Sequence, residues 1–264
     1  MKFLERYLRG EHEQVWADLR GLGPDVRDET YLADGRSVAE ETMRRVRNNV
    51  EVLRTRLDNA GYRFKEPDRA HLPPPPDIAV QLDKFERQHG PLPLSLRAFY
   101  QIVGTVTFIQ SSEQFANWYD RDQRPEPVTP VAYLGEYDPL VVEPLACAQA
   151  EWNTEHGKRS WFLAPDECHK ANYSGGMNYN VLLPEAGADF RIYGMIINEE
   201  SHFGDWFVGY LRETFRGGGF RGKVDVRDDS VVGRLIPDLE ITHRLAEGLQ
   251  PIGDPNEQTR LLER

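Results

Sequence analysis

Residues 91–109 read PLPLSLRAFYQIVGTVTFI. The first part predicts a helix that ends at Gly104, a residue type that accepts the left-handed conformation common just past a helix end. The five residues that follow, TVTFI, are β-branched or aromatic and predict a strand. A helix running directly into a strand places the chain among folds that mix the two element types.

The same signals extend in both directions. Ile78, Leu82 and Phe85 predict a preceding helix that ends near Gly90. Before it, HLPPPP (71–76) reads as a short stiff spacer, because consecutive prolines lack backbone donors and favour an extended conformation. Its P-x-x-P pattern also fits a ligand for an aromatic-lined groove, which is the less favoured reading. At the amino terminus, Phe3, Leu4, Tyr7, Leu8, Val15, Trp16 and Leu19 follow helical spacing up to GLGP (21–24). Ser37 with Glu40 has the spacing of a capping box, followed by Val46, Val50, Leu53 and Leu57 on one face up to Gly61. These two helices are expected to pack as a hairpin.

After TVTFI, strands are predicted at VAYL (131–134), WFLA (161–164), YNVLL (179–183) and FRIYGMII (190–197), with a helix at CAQAEWNTEH (147–156). Phe203, Trp206, Phe207, Tyr210, Leu211 and Phe215 recur at three- and four-residue steps, so SHFGDWFVGYLRETF (201–215) predicts an amphipathic helix whose aromatic stripe faces the core. RGGGFRG (216–222) breaks it, and beyond residue 224 the chain is polar, with one further helix near ITHRLAEGL (241–249). No internal repeat is visible. The expected architecture is α+β: a largely antiparallel or mixed central sheet flanked by helices, with an N-terminal helical hairpin. The expected divisions are residues 1–72 for the hairpin, 73–224 for the α+β domain and 225–264 for a polar tail.

The 264 residues include 39% hydrophobic and 11% aromatic residues, sufficient for a packed interior. MKFLERYLRGEHEQ (1–14) lacks the apolar segment of a signal peptide, and no stretch approaches the roughly 18 apolar residues of a membrane helix, so a cytoplasmic protein without a membrane partner is expected. Two cysteines, Cys147 and Cys168, are too few for a disulfide scaffold. Charge divides unevenly. Residues 1–72 hold 14 basic and 14 acidic side chains, whereas residues 73–264 hold 18 and 29, so the whole net charge of −11 lies after the spacer. Such a surface disfavours nucleic acid and attracts basic partners.

The fifteen residues DECHKANYSGGMNYN (166–180) concentrate groups with chemical potential. Cys168, His169, Cys147 and His156 could be imagined around zinc, but neither C-x-x-C nor H-E-x-x-H occurs. Ser174, Ser160 or Cys168 would need a histidine and an orienting third group to act as a nucleophile, and G-x-S-x-G is absent. RGGGFRG lacks the spacing of a phosphate loop. Paired carboxylates are a matter of geometry in a chain with 43 acids, and MRRVRNN (43–49) reads as one face of a surface helix. The segment is therefore expected to be a polar connection ending in a Gly-Gly turn that delivers a strand, with Lys170 and Ser174 paired locally to backbone or carboxylate groups. No catalytic residue, metal or cofactor is expected.

Several segments carry a family likeness. LPLSLRAFYQIVG (92–104) resembles the Leu-Pro dipeptide, helix and glycine near the start of the SUKH superfamily, which includes fungal cell-wall-synthesis regulators and many bacterial immunity proteins. YLGEYDPLVV (133–142), LAPDECHKANYSGGMNYNVLLP (163–184), FVGYLRETF (207–215) and GGGF (217–220) resemble later segments of the family in the same order, so the likeness spans about residues 78–222. The resemblance implies that Leu92 and Pro93 start a core helix and Gly104 ends it, while Asp138, Pro139 and Leu140 turn into a strand. It implies that Lys170, Ser174, Gly175 and Gly176 belong to the reversal before Tyr179, and that Gly218, Gly219 and Phe220 follow the aromatic helix.

The family is a binding fold, so the resemblance implies a non-enzymatic protein of immunity type that neutralises a toxin domain by binding it. The acidic charge fits a basic partner such as a nuclease toxin. The alternative is a regulatory scaffold that docks or dimerises through the hairpin, since many immunity-type members lack the additions of about 72 residues before and about 40 after the core. A hydrolase would require His169 or His202 to meet Ser174 and a carboxylate.

Overall fold

The computed structural model describes residues 2–111, 131, 134–151, 160–172, 178–198, 201–227, 230–235 and 239–253. Among them the chain is α+β, with antiparallel sheets and an N-terminal helical region.

The chain opens with two short helices, α1 (Phe3–Leu8) and α2 (His12–Gly21), and a 3₁₀ turn at Gly23–Arg27. The single helix expected up to Leu19 is divided because Gly10 has φ +100°, a conformation that no helix interior contains. A 31-residue helix, α3 (Glu29–Asn59), follows. The expected start at Ser37 is corrected: the helix begins eight residues earlier, and the Ser37 hydroxyl donates to the carbonyl of Ala33 at 2.9 Å, as an interior serine does. On α3, Val38, Met43, Val46, Val50, Leu53 and Leu57 are buried at helical spacing and face α1 and the rest of the core.

β1 (His71–Leu72) precedes the proline spacer, so the first two residues of HLPPPP pair in a sheet. α4 (Ile78–His89) and α5 (Leu94–Ile102) follow, ending at Gly90 and Gly104, which have φ +93° and +94°. The next strand, β2 (Thr105–Thr107), is shorter than TVTFI. It stands between β1 and β3 (Val141–Val142). Leu134 of VAYL opens a 3₁₀ turn (Leu134–Glu136) where a strand was expected, and Ala132 and Tyr133 lie outside the described residues. α6 (Leu145–Glu151) matches the start of the helix expected at CAQAEWNTEH, whose remaining residues lie outside the description.

The larger sheet has the order β4 (Ser160–Pro165), β5 (Asn178–Leu182), β6 (Arg191–Asn198), β7 (Ser201–Trp206). The Glu143 N–H donates to the Leu163 carbonyl at 2.9 Å, which joins the two sheets at β3 and β4. Between β4 and β5 lies one helical turn, α7 (Glu167–Lys170), within the segment expected to be only a connection. α8 (Phe207–Arg216) starts later than SHFGDWFVGYLRETF implies. Residues 201–206 pair with β6 instead, with Phe203 opposite Tyr193 and Trp206 opposite Arg191. A short apolar run satisfies both periods, and the adjacent partner strand decides between them. The polar tail contains a two-stranded ladder, β8 (Lys223–Arg227) with β9 (Ser230–Leu235), and a helix, α9 (Leu239–Ala246).

Side chains from residues before 73, between 73 and 224, and after 224 share one hydrophobic cluster, from Tyr7 and Trp16 through Phe99 and Trp161 to Ile241 and Ile252. Aromatic rings bind the layers. Phe85 of α4 meets Trp161 of β4 edge-on at 4.7 Å, while Phe207 of α8 stacks on Phe190 at 4.9 Å and meets Phe99 of α5 at 5.5 Å. Pairs of this kind add roughly 0.5–1.5 kcal/mol beyond their area burial.

Candidate functional site

Three of the segments that carry the family likeness meet in space. After the 3₁₀ turn, Asp138 adopts φ +52° and Pro139 bridges Phe220. The crossing is sealed by backbone bonds: Leu140 N–H to the Gly219 carbonyl at 3.0 Å, Arg221 N–H to the Asp138 carbonyl at 3.1 Å and Gly222 N–H to the Tyr137 carbonyl at 3.0 Å. This arrangement turns the Asp138 carboxylate into the interior.

Its partner is delivered by α7. The Asp166 side chain accepts the His169 N–H at 2.9 Å and caps the turn, whose last residue, Lys170, then points inward. Lys170 Nζ donates to Asp138 Oδ1 at 2.6 Å, and both side chains are fully buried. Tyr179 on β5 donates its hydroxyl to Asp138 Oδ2 at 3.2 Å, and Lys170 Nζ donates to the Tyr210 hydroxyl of α8 at 3.4 Å. The ammonium sits 4.6 Å from the Tyr179 ring centre. Arg221 lies over Tyr210 at 5.7 Å and forms an ion pair with Asp205.

The electrostatics of this cluster hold each proton in place. Burial alone would lower Lys170, but the charge of Asp138 and the Tyr210 hydroxyl more than offset it, and the ammonium is stabilised above its ordinary range. Burial raises Tyr179 well above the usual phenol, and the neighbouring Asp138 charge adds to this. Tyr210 is also raised, by burial against the opposing pull of Lys170. A protonated amine and two neutral phenols, sealed from solvent, are neither nucleophiles nor bases at neutral pH. The cluster joins the loop at Asp138 to α7, β5 and α8, and its chemistry is that of a lock.

The other expected positions take structural places. Leu92 is buried, with its N–H bound to Glu86 Oε1 at 2.9 Å and its carbonyl accepting from Arg27. Pro93 occupies the N-cap position of α5. Gly104 ends the same helix, and Gly218 and Gly219 turn with φ +64° and +104° into buried Phe220. Asp138, Pro139, Lys170, Gly219 and Phe220 are brought together, while Leu92 and Gly104 mark opposite ends of α5. Ser174, Gly175 and Gly176 lie outside the described residues, as does His156. Lys170 pairs with a carboxylate, but with one 32 residues away. His169 Nδ1 faces Asp166 Oδ1 at 3.2 Å. Cys147 and Cys168 are not in a disulfide, and among the described residues no group of three or more His, Cys, Asp or Glu side chains is arranged to hold a metal ion.

A second buried acid was not anticipated. Asp189 Oδ1 accepts the Ser95 hydroxyl at 2.8 Å, Oδ2 accepts the Val208 N–H at 3.4 Å, and Arg20 lies 3.6 Å away. It thereby ties α2 to the first turns of α5 and α8. Burial pushes its carboxyl up to about 6, against the lowering effects of the Ser95 bond and Arg20. A carboxyl raised in the fold binds more protons folded than unfolded between about pH 4 and pH 6, so its share of stability falls as pH rises through that window. Asp189→Asn is expected to remove this component. The wild-type minus variant difference in unfolding free energy should change by about 3 kcal/mol across the window and be flat above it. A parallel pair of curves from urea titrations would show that Asp189 titrates as an ordinary carboxylate.

Two clefts flank the exposed face of α3. One, of about 440 Å³, has Phe64 and Pro67 beside Glu51, Arg54, Asp58 and Asp68, and the other continues past Val52 to Gln250. Their charges are mixed in sign. Among the described residues no helix is long and apolar enough to cross a membrane. No known protein family, curated protein or solved structure matches the chain.

Proposed function

We propose that the chain is a non-enzymatic, cytoplasmic protein of SUKH type that acts as an immunity protein, neutralising a basic toxin domain by binding it. The observation that carries this reading is the convergence of the likeness-bearing segments: Asp138 and Pro139, Lys170, and Gly219 and Phe220 come from three separate stretches and build one sealed framework. A framework that locks loops between a sheet and a helix suits a rigid binding surface, which lowers the ordering cost of association. The net charge of −11 carried by residues 73–264 would steer a basic partner and slow its escape. Docking through the N-terminal helices is the less favoured reading. The α3 side chains that would make an apolar docking stripe lie inside this chain's own core, and Leu8, Val52 and Leu72 are the large hydrophobics exposed there among the described residues.

The test is capture from the native lysate at low and high salt, followed by expression of the captured polypeptide alone. A single basic protein is expected, with association slowed about tenfold or more by high salt. Expressed alone it should arrest growth, and co-expression of this chain should restore it. Recovery of housekeeping proteins only, or of the chain itself, would overturn the toxin-binding reading.

A further inference from the structure

The four prolines at 73–76 form a ridge that is fixed at both ends. At its front, His71 and Leu72 pair with Val106 and Thr105 in the smaller sheet, and His71 Nε2 lies 2.9 Å from the Val103 carbonyl. At its back, the Pro75 carbonyl accepts the Ile78 N–H at 3.1 Å. Asp77 has φ −97° and ψ 9° there, the third position of a type I turn, whose second position favours a proline such as Pro76. Beyond the turn, Ile78, Leu82 and Phe85 anchor α4 in the core.

Between these clamps the backbone has little freedom. Proline fixes its own φ near −65°, and Leu72, Pro73, Pro74 and Pro75 each precede a proline, which keeps them extended. The peptide bonds before all four prolines are trans. The run is therefore a turn of polyproline II helix with three residues per repeat, which sets Pro73 and Pro76 on one side, about 9 Å apart. Exposure follows that repeat: Pro73, Pro75 and Pro76 are exposed, and Pro74 is half-buried. A Cβ on Gly104 would stand 2.9 Å from the Pro74 nitrogen, so the inner side of the run rests on that glycine.

The outer side is apolar and open to solvent. Leu72 is 37% exposed and Val80, in the first turn of α4, is 65% exposed, so large hydrophobics in contact with water bracket the run. A connection from a strand to a helix needs only turn residues, which are ordinarily polar or glycine. Exposed rings ordered in advance go further than that need. They present apolar area whose ordering cost is already met by the fold, in the conformation that aromatic-lined grooves read.

We infer that residues 72–76 are a docking ligand on display, taken up by a partner domain through a groove lined with aromatic side chains. Recognition of this kind asks nothing of the partner's activity, so it holds whether or not a toxin binds the acidic surface.

The test is titration of the isotope-labelled full chain with three unlabelled probes that carry such grooves: an SH3, a WW and an EVH1 domain. At least one is expected to bind, with saturable shifts of the Leu72, Asp77 and Val80 amide resonances and none in α2 or α8. In that complex, Pro73→Ala/Pro76→Ala removes outward rings and should raise the Kd at least about twentyfold. Pro74→Ala, on the inner side, should raise it less than about fivefold, the share of chain stiffness alone. Melting temperatures show whether each variant folds, and should the double variant fail, Pro76→Ala against Pro74→Ala makes the same comparison. Failure of all three probes to move those amides overturns the docking ligand, as does a loss in Pro74→Ala equal to that of the outward variant. Shifts of the same amides on dilution of the chain alone would assign the strip to a second copy and equally overturn the aromatic-groove partner.

Discussion

Lys170→Met is expected to lower the unfolding free energy by about 3–5 kcal/mol, the usual result of leaving one charge of a buried pair uncompensated. Methionine fills much of the lysine's volume, so the loss is electrostatic rather than a packing defect. Asp138 would keep the Tyr179 hydroxyl but lose the 2.6 Å ammonium contact, in a place with no exposure to water. Adding Asp138→Asn should recover more than half of the loss, because the double variant leaves neither charge of the Lys170–Asp138 pair in the core and asparagine tolerates the φ of +52°. Urea denaturation of the wild type, both single variants and the double variant reads the coupling directly. Additive losses in this cycle would mean that the two side chains do not depend on each other, and the lock would have to be abandoned.

Gly104→Ala should cost at least about 3 kcal/mol. Two terms combine there. The φ of +94° is strained for any residue with a side chain, and a Cβ would stand 2.2 Å from the Leu72 carbonyl oxygen and 2.9 Å from Pro73 C and Pro74 N. These neighbours are backbone atoms of β1 and the proline spacer, held by the pairing of Leu72 with Thr105, so they cannot rotate away. Gly10→Ala is the matched control. Its φ is +100° but nothing lies within 4 Å of the added atom, so about 1–2 kcal/mol of backbone strain is expected by itself. Equal melting temperatures for the two variants would refute the steric part of the argument.

Elements whose signals are local were legible in the chain. The helices ending at Gly90 and Gly104 follow from apolar spacing and from a glycine where the backbone turns left-handed. The strands at WFLA, YNVLL and FRIYGMII follow from β-branched and aromatic composition. The α7 turn was not read, although Asp166 three residues before His169 is an N-cap spacing. Four residues are too few to show a helical period.

The candidate site was half legible. The likeness pointed to Asp138 and Lys170, but it gave no reason to join them, and Tyr179 and Tyr210 carried only the signals of a strand and a core-facing helix. Asp189 gave no signal, because a carboxylate in a loop is ordinarily solvated and only its neighbours show that it is not.

Helical period, capping residues and glycine positions act over a few residues and are written in order along the chain, so they set α4, α5 and most of the larger sheet's strands. Whether residues 201–206 become helix or strand depended on β6 lying alongside, and Lys170 found its counter-ion 32 positions away. Gln250 met Asn49 201 positions before it, in a contact that no local pattern announces. A buried charge, a ladder and a side chain–backbone pair each need a specific partner, and partners are chosen by how the layers pack after the local elements exist.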